Sequence, residues 1–570
     1  MGTSAIATLT PADFAQATWD EILPLYQELA ERPLTAGAVK GWLADWSRLE
    51  VVLSEAAALA MIAYTCDTAD PAKEAAHLRF SADILPRMEE QGVRLAGRLL
   101  ATGYSRPDLE VPIAKFRTAH EIFREANVPL MQEVEALAAR YQKIAGGITV
   151  VWDGEEKTVP QLQPYLQSPD RGTRELAWRL SHQPYLERRE ELADVFDAMF
   201  DLRTRIARNA GFADYEAYAF KAKCRFDYTP ADCRRFHEAV EAAVVPAVER
   251  VLARRRERLG LSALRPWDLA NDPEGRPPLR PFRDASELVA TCQRIFDQVS
   301  PRFGRHFRTM AEEGLLDLAS RKGKAPGGYC ETLHYRGRPF IFMNAVGVWE
   351  DVSTLLHEAG HAFHAFEAHR HPLIWQRHPG LEACELASMS MELLAAPYLG
   401  RDQGGFFDPE ELARARTEHL EDILMTLAHV ASVDAFQSWL YTSGQGRDRD
   451  ERDRAWLRIR SRFERGVDWG GLEPERVARW YRQLHIFLYP FYYIEYGIAQ
   501  LGALQIWRNS RRDPAGAVER YRQALALGNT ASLPDLFRTA GAALTFDRRT
   551  VGDLVALVEE ELAAWQGPRV

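Results

Sequence analysis

Cysteine is scarce and scattered. The six in 570 residues are Cys66, Cys224, Cys233, Cys292, Cys330 and Cys384, and no two form a Cys-x-x-Cys pair. That spacing leaves neither a thiolate metal site nor a disulfide framework, so reduced thiols in a cytoplasm are expected. No uninterrupted apolar run reaches 18 residues, which argues against a membrane span. The first ten residues lack the basic flank and apolar stretch of a signal peptide. There is no basic excess either. The net charge is −10 and the pI near 5.9, and short runs such as Arg254-Arg255-Arg256 sit among acidic neighbours, so nucleic acid is not an expected partner. Internal repeats and low-complexity tracts are also missing.

What remains is a chain built to fold. Apolar residues make up 46% and charged residues 27%, which allows a large core and excludes global disorder. Apolar residues recur at three and four through most of the sequence, the period of a buried helix face. Thr10-Pro11 reads as a helix start. Gly146-Gly147 interrupts the helical pattern, and ITVVWDGEEKTV at 148–159 then reads as a hairpin turning at Asp153-Gly154. The proline-rich stretch 263–283 reads as a long surface connection. Arg338 to Val346 reads as a strand, and helices resume from Asp351. The expected fold is mainly α with a small β-sheet beside the key motif. Three regions are drawn along the chain: an N-terminal helical region over 1–146, a hairpin and helical region over 147–210, and a catalytic region over 211–570.

The motif that carries chemistry is His357-Glu358-Ala359-Gly360-His361. Histidines four apart on a helix share one face, so both imidazoles can reach one zinc ion. The adjacent Glu358 can then take a proton from metal-activated water. Asp351 or Ser353 can cap this helix. Val352, Leu355, Leu356 and Phe363 should bury it, and buried histidines and a glutamate need polar partners. Ligands spread over two turns of a straight helix, a rise of about 10 Å, cannot converge on one ion, so His364, seven residues past His357, is expected to be structural or to support a ligand. A third ligand must come from elsewhere. Glu382, Glu385 and Glu392 lie on the next apolar stretch, and spacing alone leaves Glu382 and Glu385 open.

The stretch TLLHEAGHAFH at 354–364 resembles the thimet oligopeptidase and oligoendopeptidase F family of zinc peptidases, and the short chain with FYYIEYGIAQ at 491–500 favours its bacterial branch, near oligoendopeptidase F and Pz-peptidase. Members carry a downstream E-x-x-S-x-x-x-E helix, here Glu385, Ser388 and Glu392. The resemblance therefore implies a single zinc held by His357, His361 and Glu385. It also implies a peptide-binding surface of Gly327, Gly328, Tyr329, Phe342 and Asn344, in which 338–346 is an edge strand that a peptide extends.

The segment HIFLYPFYYIEYGIAQLGALQ at 485–505 resembles the family's histidine and tyrosine wall. Tyr489, Tyr493 and Tyr496 recur at four and three, as on one helical face. His485, Tyr496 and Tyr489 are expected to stabilise the developing oxyanion, with Tyr492 and Tyr493 contacting substrate. The fold implied is two helical lobes around a deep channel, and the activity implied is endopeptidase cleavage of short unstructured peptides. A zinc exopeptidase on a similar scaffold is the alternative. A peptide-binding protein with a structural zinc is a further one, but Glu358 argues against it, since a binding module has no need of a general base.

Overall fold

The computed structural model describes residues 5–566. These are mostly helical, with two small sheets. They form two compact units, each assembled from separated stretches of chain. Of the described residues, one comprises 5–122, 279–415 and 499–544; the other comprises 123–278, 416–498 and 545–566. The units thus interleave along the sequence, unlike the contiguous regions drawn at 146 and 210.

The first unit is built on the helix Val39–Cys66. This helix is long and apolar enough to cross a membrane by length and composition. Here its apolar residues are core: Trp42, Trp46, Leu49 and Leu53 are all buried. Trp46 packs against Trp375 and Phe116, with ring centroids 4.3 and 5.2 Å away. Farther along it Glu55 is fully buried, and it accepts hydrogen bonds from the backbone N–H groups of Tyr335 and Arg336 at 2.6 and 3.0 Å. A buried carboxylate needs such donors, and this one ties the helix to a sheet turn.

The hairpin lies where the sequence placed it. Strand β1 (Thr149–Trp152) pairs antiparallel with β2 (Glu155–Thr158). Asp153 and Gly154 between them have φ of 50° and 81°, the left-handed pair that a two-residue hairpin turn requires.

The three-stranded sheet belongs to the first unit. It contains β3 (Leu316–Ala319), β4 (Tyr329–Leu333) and β5 (Arg338–Ala345), in the order β3-β5-β4. The strand read from Arg338 to Val346 is therefore present as β5, but it is not an edge. It pairs parallel with β3 and antiparallel with β4, so its backbone groups are used on both sides. β4 is the edge strand beside it. Five consecutive buried residues, Pro339 to Met343, fit a central strand better than an exposed border.

The stretch 263–283 is a long irregular connection with an exposed middle, as expected, but it departs from expectation near its start. Leu264, Trp267 and Asp268 are buried. Asp268 accepts from both Arg171 and Arg174, at 2.8–3.0 Å. Its carboxylate draws irregular chain inward, an effect that proline content does not reveal.

In the second unit, the fully buried Arg203 donates to the carbonyls of Ile486 and Phe487. It thereby fixes the end of the short helix Leu484–Leu488, which carries His485.

Candidate active site

The metal-motif helix runs from Trp349 to Ala368. Its start is held from inside the first turn. Oδ2 of Asp351 accepts from the backbone N–H groups of Val346, Gly347 and Val348, at 2.8, 2.8 and 3.0 Å. Three donors satisfied by one carboxylate fix where the helix begins. The second helix, Leu381–Ala395, packs closely against it. A Cβ on Gly360 would fall 2.5 Å from Cα of Ser388 and 2.6 Å from the carbonyl oxygen of Ala387. Only glycine permits this approach.

That approach brings His357, His361 and Glu385 together, with one ligand atom from each lying within 4.8 Å of the others. Oε2 of Glu385 is 3.3 Å from Nε2 of His357 and 3.9 Å from Nε2 of His361. Ligand atoms each about 2.1 Å from a tetrahedral zinc lie about 3.4 Å apart, so the set has the right span. The donor chemistry fits as well. Nδ1 of His357 is 2.8 Å from Oε1 of Glu392. A carboxylate only accepts, so Nδ1 carries a proton, and Nε2, which faces Glu385, becomes a ligand once the ring is neutral. A cation bound in place of the Nε2 proton of His357 would be shared by all three ligand atoms. Ser388 Oγ donates to Oε2 of Glu385 at 3.2 Å, and Ser353 Oγ to Oε2 of Glu392 at 3.3 Å. Among the described residues this is the one grouping of three such donors. Glu382 is buried on the same helix but outside it.

Glu358 is nine-tenths buried, and its Oε2 has no hydrogen-bond partner. Burial pushes its carboxyl up to about 7, against the lowering pull of His357. Burial also disfavours a charged His357, but Glu385 and Glu392 outweigh it and hold that imidazole well above its usual value. His361 moves the other way, down to about 4, because burial dominates. His364 is buried without a partner at Nε2, and burial lowers it to about 3. It stands apart from the converging donors.

The expected peptide surface is also on the first unit. Asn344 Nδ2 donates to the carbonyls of Ala325 and Gly327 at 2.8 and 3.0 Å, holding the glycine loop. Gly327 has φ of 95° and requires its residue type. Gly328 is exposed beside it, and Tyr329 shares a 2.6 Å hydroxyl contact with Thr65. Phe342 differs from expectation. It is fully buried, stacked under Tyr329 with ring centroids 4.9 Å apart, so it supports this surface without facing a peptide.

The tyrosines lie in the second unit. His485 is surrounded by the rings of Tyr489, Tyr492, Tyr493 and Tyr496, with centroids 4.8–6.1 Å away. They do not share one helical face. The helix restarts only at Tyr493, and Tyr489 lies before the break. Pro490 biases Tyr489 out of the helical region, and Phe491 has φ of 63°. That strained turn is secured at both ends of Phe491. Gln437 accepts from its N–H at 2.8 Å, and Arg225 donates to its carbonyl. Arg225 also donates to Glu495 at 2.8 Å. Nothing in the sequence pattern marks Arg225 or Gln437, which act across more than fifty residues. Tyr493 donates its hydroxyl to Gln483 at 3.0 Å, and burial raises its pKa to about 12.

A buried glutamate beside two converging imidazoles defines a metallohydrolase-type site, and similarity to known proteins agrees. The Peptidase family M3 profile matches residues 164–552, and the Peptidase M3 N-terminal domain matches residues 11–110. The chain belongs to peptidase family M3. It is 24% identical over 312 residues to Oligopeptidase PepF of Bacillus subtilis, and 23% identical over 275 residues to an Oligoendopeptidase F homolog of Borreliella burgdorferi. These matches span 53% and 46% of this chain, and 44% of each relative. Among solved structures it is similar to Pz peptidase A, with a TM-score of 0.88 at 29% identity over 96% of this chain and 98% of that one. A putative oligoendopeptidase F from Bacillus anthracis gives 0.83 at 26% identity, over 96% and 97%.

Proposed function

We propose that the chain is a zinc-dependent oligoendopeptidase that hydrolyses internal bonds of short unstructured peptides. The observation that carries this reading is the convergence of His357, His361 and Glu385 beside the buried Glu358, whose Oε2 has no hydrogen-bond partner. Zinc on those three donors would act as a Lewis acid towards the scissile carbonyl and make water more acidic. Glu358 takes the proton from the attacking water and delivers it to the leaving amine. Glu392 holds His357 in the tautomer that leaves Nε2 free. His485 and Tyr496, with Tyr489, donate to the oxygen that gains charge. Their assignment rests on the resemblance of 485–505 and on the polar character of the cluster. The peptide adds to the free edge of β4 and not to β5, so recognition is mainly through backbone and side-chain selectivity is broad. An enclosed channel that excludes folded proteins is carried over from the family resemblance. Six cysteines, none in a disulfide, suit a reducing cytoplasmic setting.

The test is digestion of a mixed peptide library with sequencing of products, with and without chelator. Internal cleavage that the chelator abolishes supports the reading. Release of terminal residues alone would favour a zinc exopeptidase.

A further inference from the structure

The second unit contains a cavity of about 640 Å³ formed by its own residues. That volume falls in the range of about 300–1,000 Å³ typical of small-ligand sites. Its wall carries four arginines, Arg460, Arg465, Arg479 and Arg482, against two acids, Asp422 and Glu464. Glu464 is shared among several cations. Arg460 donates to it at 2.6 Å and Arg476 at 3.3 Å, and Arg479 donates as well. Arg465 lies 3.7 Å from Glu241, which already accepts from Arg462.

Arg482 has no carboxylate partner among the described residues. Its guanidinium donates to Nε2 of His182 at 3.2 Å and lies 5.1 Å from the centre of the Tyr185 ring. Nδ1 of His182 sits 2.9 Å from the Trp178 carbonyl, so it carries the proton and Nε2 is the acceptor. Burial, with Arg482 beside it, lowers His182 to about 3. His429 accepts from Arg460 at 2.9 Å, and burial likewise lowers it to about 3. Both histidines are therefore neutral acceptors. They orient guanidinium groups without discharging them, and the wall keeps a surplus of positive charge.

Much of the remaining wall is apolar, including Trp178, Trp469, Leu252 and Phe463. A cationic spot in an apolar pocket suits an amphiphilic anion better than a hydrated inorganic ion. The cavity also adjoins the tyrosine cluster. Gln483 lines it and accepts from Tyr493, whose ring is 4.8 Å from that of His485.

We propose that this cavity binds a peptide carboxylate on Arg482, either the free C-terminus or an acidic side chain close to it, with the neighbouring apolar side chain against the tryptophans. The proposal rests on the peptidase reading and adds a preference for peptides that carry a carboxylate near one end.

The test uses labelled tetrapeptides of D-residues preceding one C-terminal L-residue, which resist hydrolysis. One ends in a free acid, one in an amide, and one in glutamate amide. Fluorescence anisotropy on the wild-type protein should show the acid binding about tenfold tighter than the amide. The glutamate amide distinguishes the two sources, matching the acid if a side-chain carboxylate suffices and the amide if only the terminus is read. R482Q should bring acid and amide within about twofold. In hydrogen exchange on the wild-type protein, which does not depend on the variant folding, the acid should protect 178–186 and 479–483 more than the amide does. Equal wild-type affinities, a preference that survives in R482Q, or protection only elsewhere would each overturn the proposal. Cleavage of the matching all-L peptides is scored separately. Its absence would defeat the peptidase reading while these binding results still decide the cavity's role.

Discussion

Nδ1 of His357 lies 2.8 Å from Oε1 of Glu392, while Nε2 of the same ring faces Glu385. Two glutamates seven residues apart on one helix therefore address opposite edges of one imidazole. One fixes the proton and the other completes the donor set. Glu392→Ala should keep the three donors but weaken metal affinity about 10–100-fold, as loss of such an orienting carboxylate does. Competition with a chromogenic chelator measures it, and unchanged affinity would return Glu392 to a purely structural role.

The close passage of the two ligand helices gives a second prediction. Gly360→Ala places a methyl against the backbone of Ala387 and Ser388, and neither neighbour can swing aside. A loss of about 1–3 kcal/mol in stability is expected, together with weaker metal binding. Gly92→Ala is the control, because nothing lies within 4 Å of its added Cβ in the helix Leu85–Ala101. There the change should be neutral or stabilising by up to about 1 kcal/mol. Thermal melts of both proteins with and without metal separate the cases.

The tyrosine cluster is tested by Tyr496→Phe and His485→Ala. A donor to a developing oxyanion acts mainly in the transition state, so kcat should fall about a hundredfold or more with little change in KM. Tyr493→Phe should matter less, since that hydroxyl is already committed to Gln483. Unchanged kinetics in the first two variants would make the cluster a packing feature.

Glu50 predicts a pH dependence of stability. Burial raises its pKa from 4.5 to about 7, although Trp46 and Tyr26 donate to it and pull the other way. The folded state therefore holds this proton more tightly than the unfolded chain. Its stabilising effect is complete below about pH 4.5 and is lost as pH rises towards 7, by at most about 3 kcal/mol. Glu50→Gln keeps both acceptor contacts and cannot ionise. Relative to wild type it should gain stability at pH 8 and not at pH 4.5. Parallel denaturation curves at the two pH values would contradict this.

The local parts of this architecture were legible in the sequence. Asp153-Gly154 announced the hairpin because few residues accept positive φ. The spacing of His357 and His361 announced two imidazoles side by side because helical geometry makes them neighbours. Glu385 was selected by resemblance alone, since helix spacing also allowed Glu382. What the sequence did not reveal depends on pairing over distance. β5 is central because β3 and β4 flank it, and a strand's own residues do not say how many neighbours it has. Tyr489 left the expected face because Arg225 and Gln437, far away in the chain, stabilise a left-handed Phe491. Asp268 drew the start of a proline-rich connection inward by engaging two arginines almost a hundred residues earlier.

The central claim is that Glu358 moves the proton while His357, His361 and Glu385 hold the metal. Its most direct test is to measure metal content and turnover together in Glu358→Gln. The amide keeps the size of the side chain but cannot accept a proton, so metal should remain near one ion per chain while turnover falls at least about a thousandfold. Wild-type turnover at full metal content would contradict the assignment of Glu358 as the base.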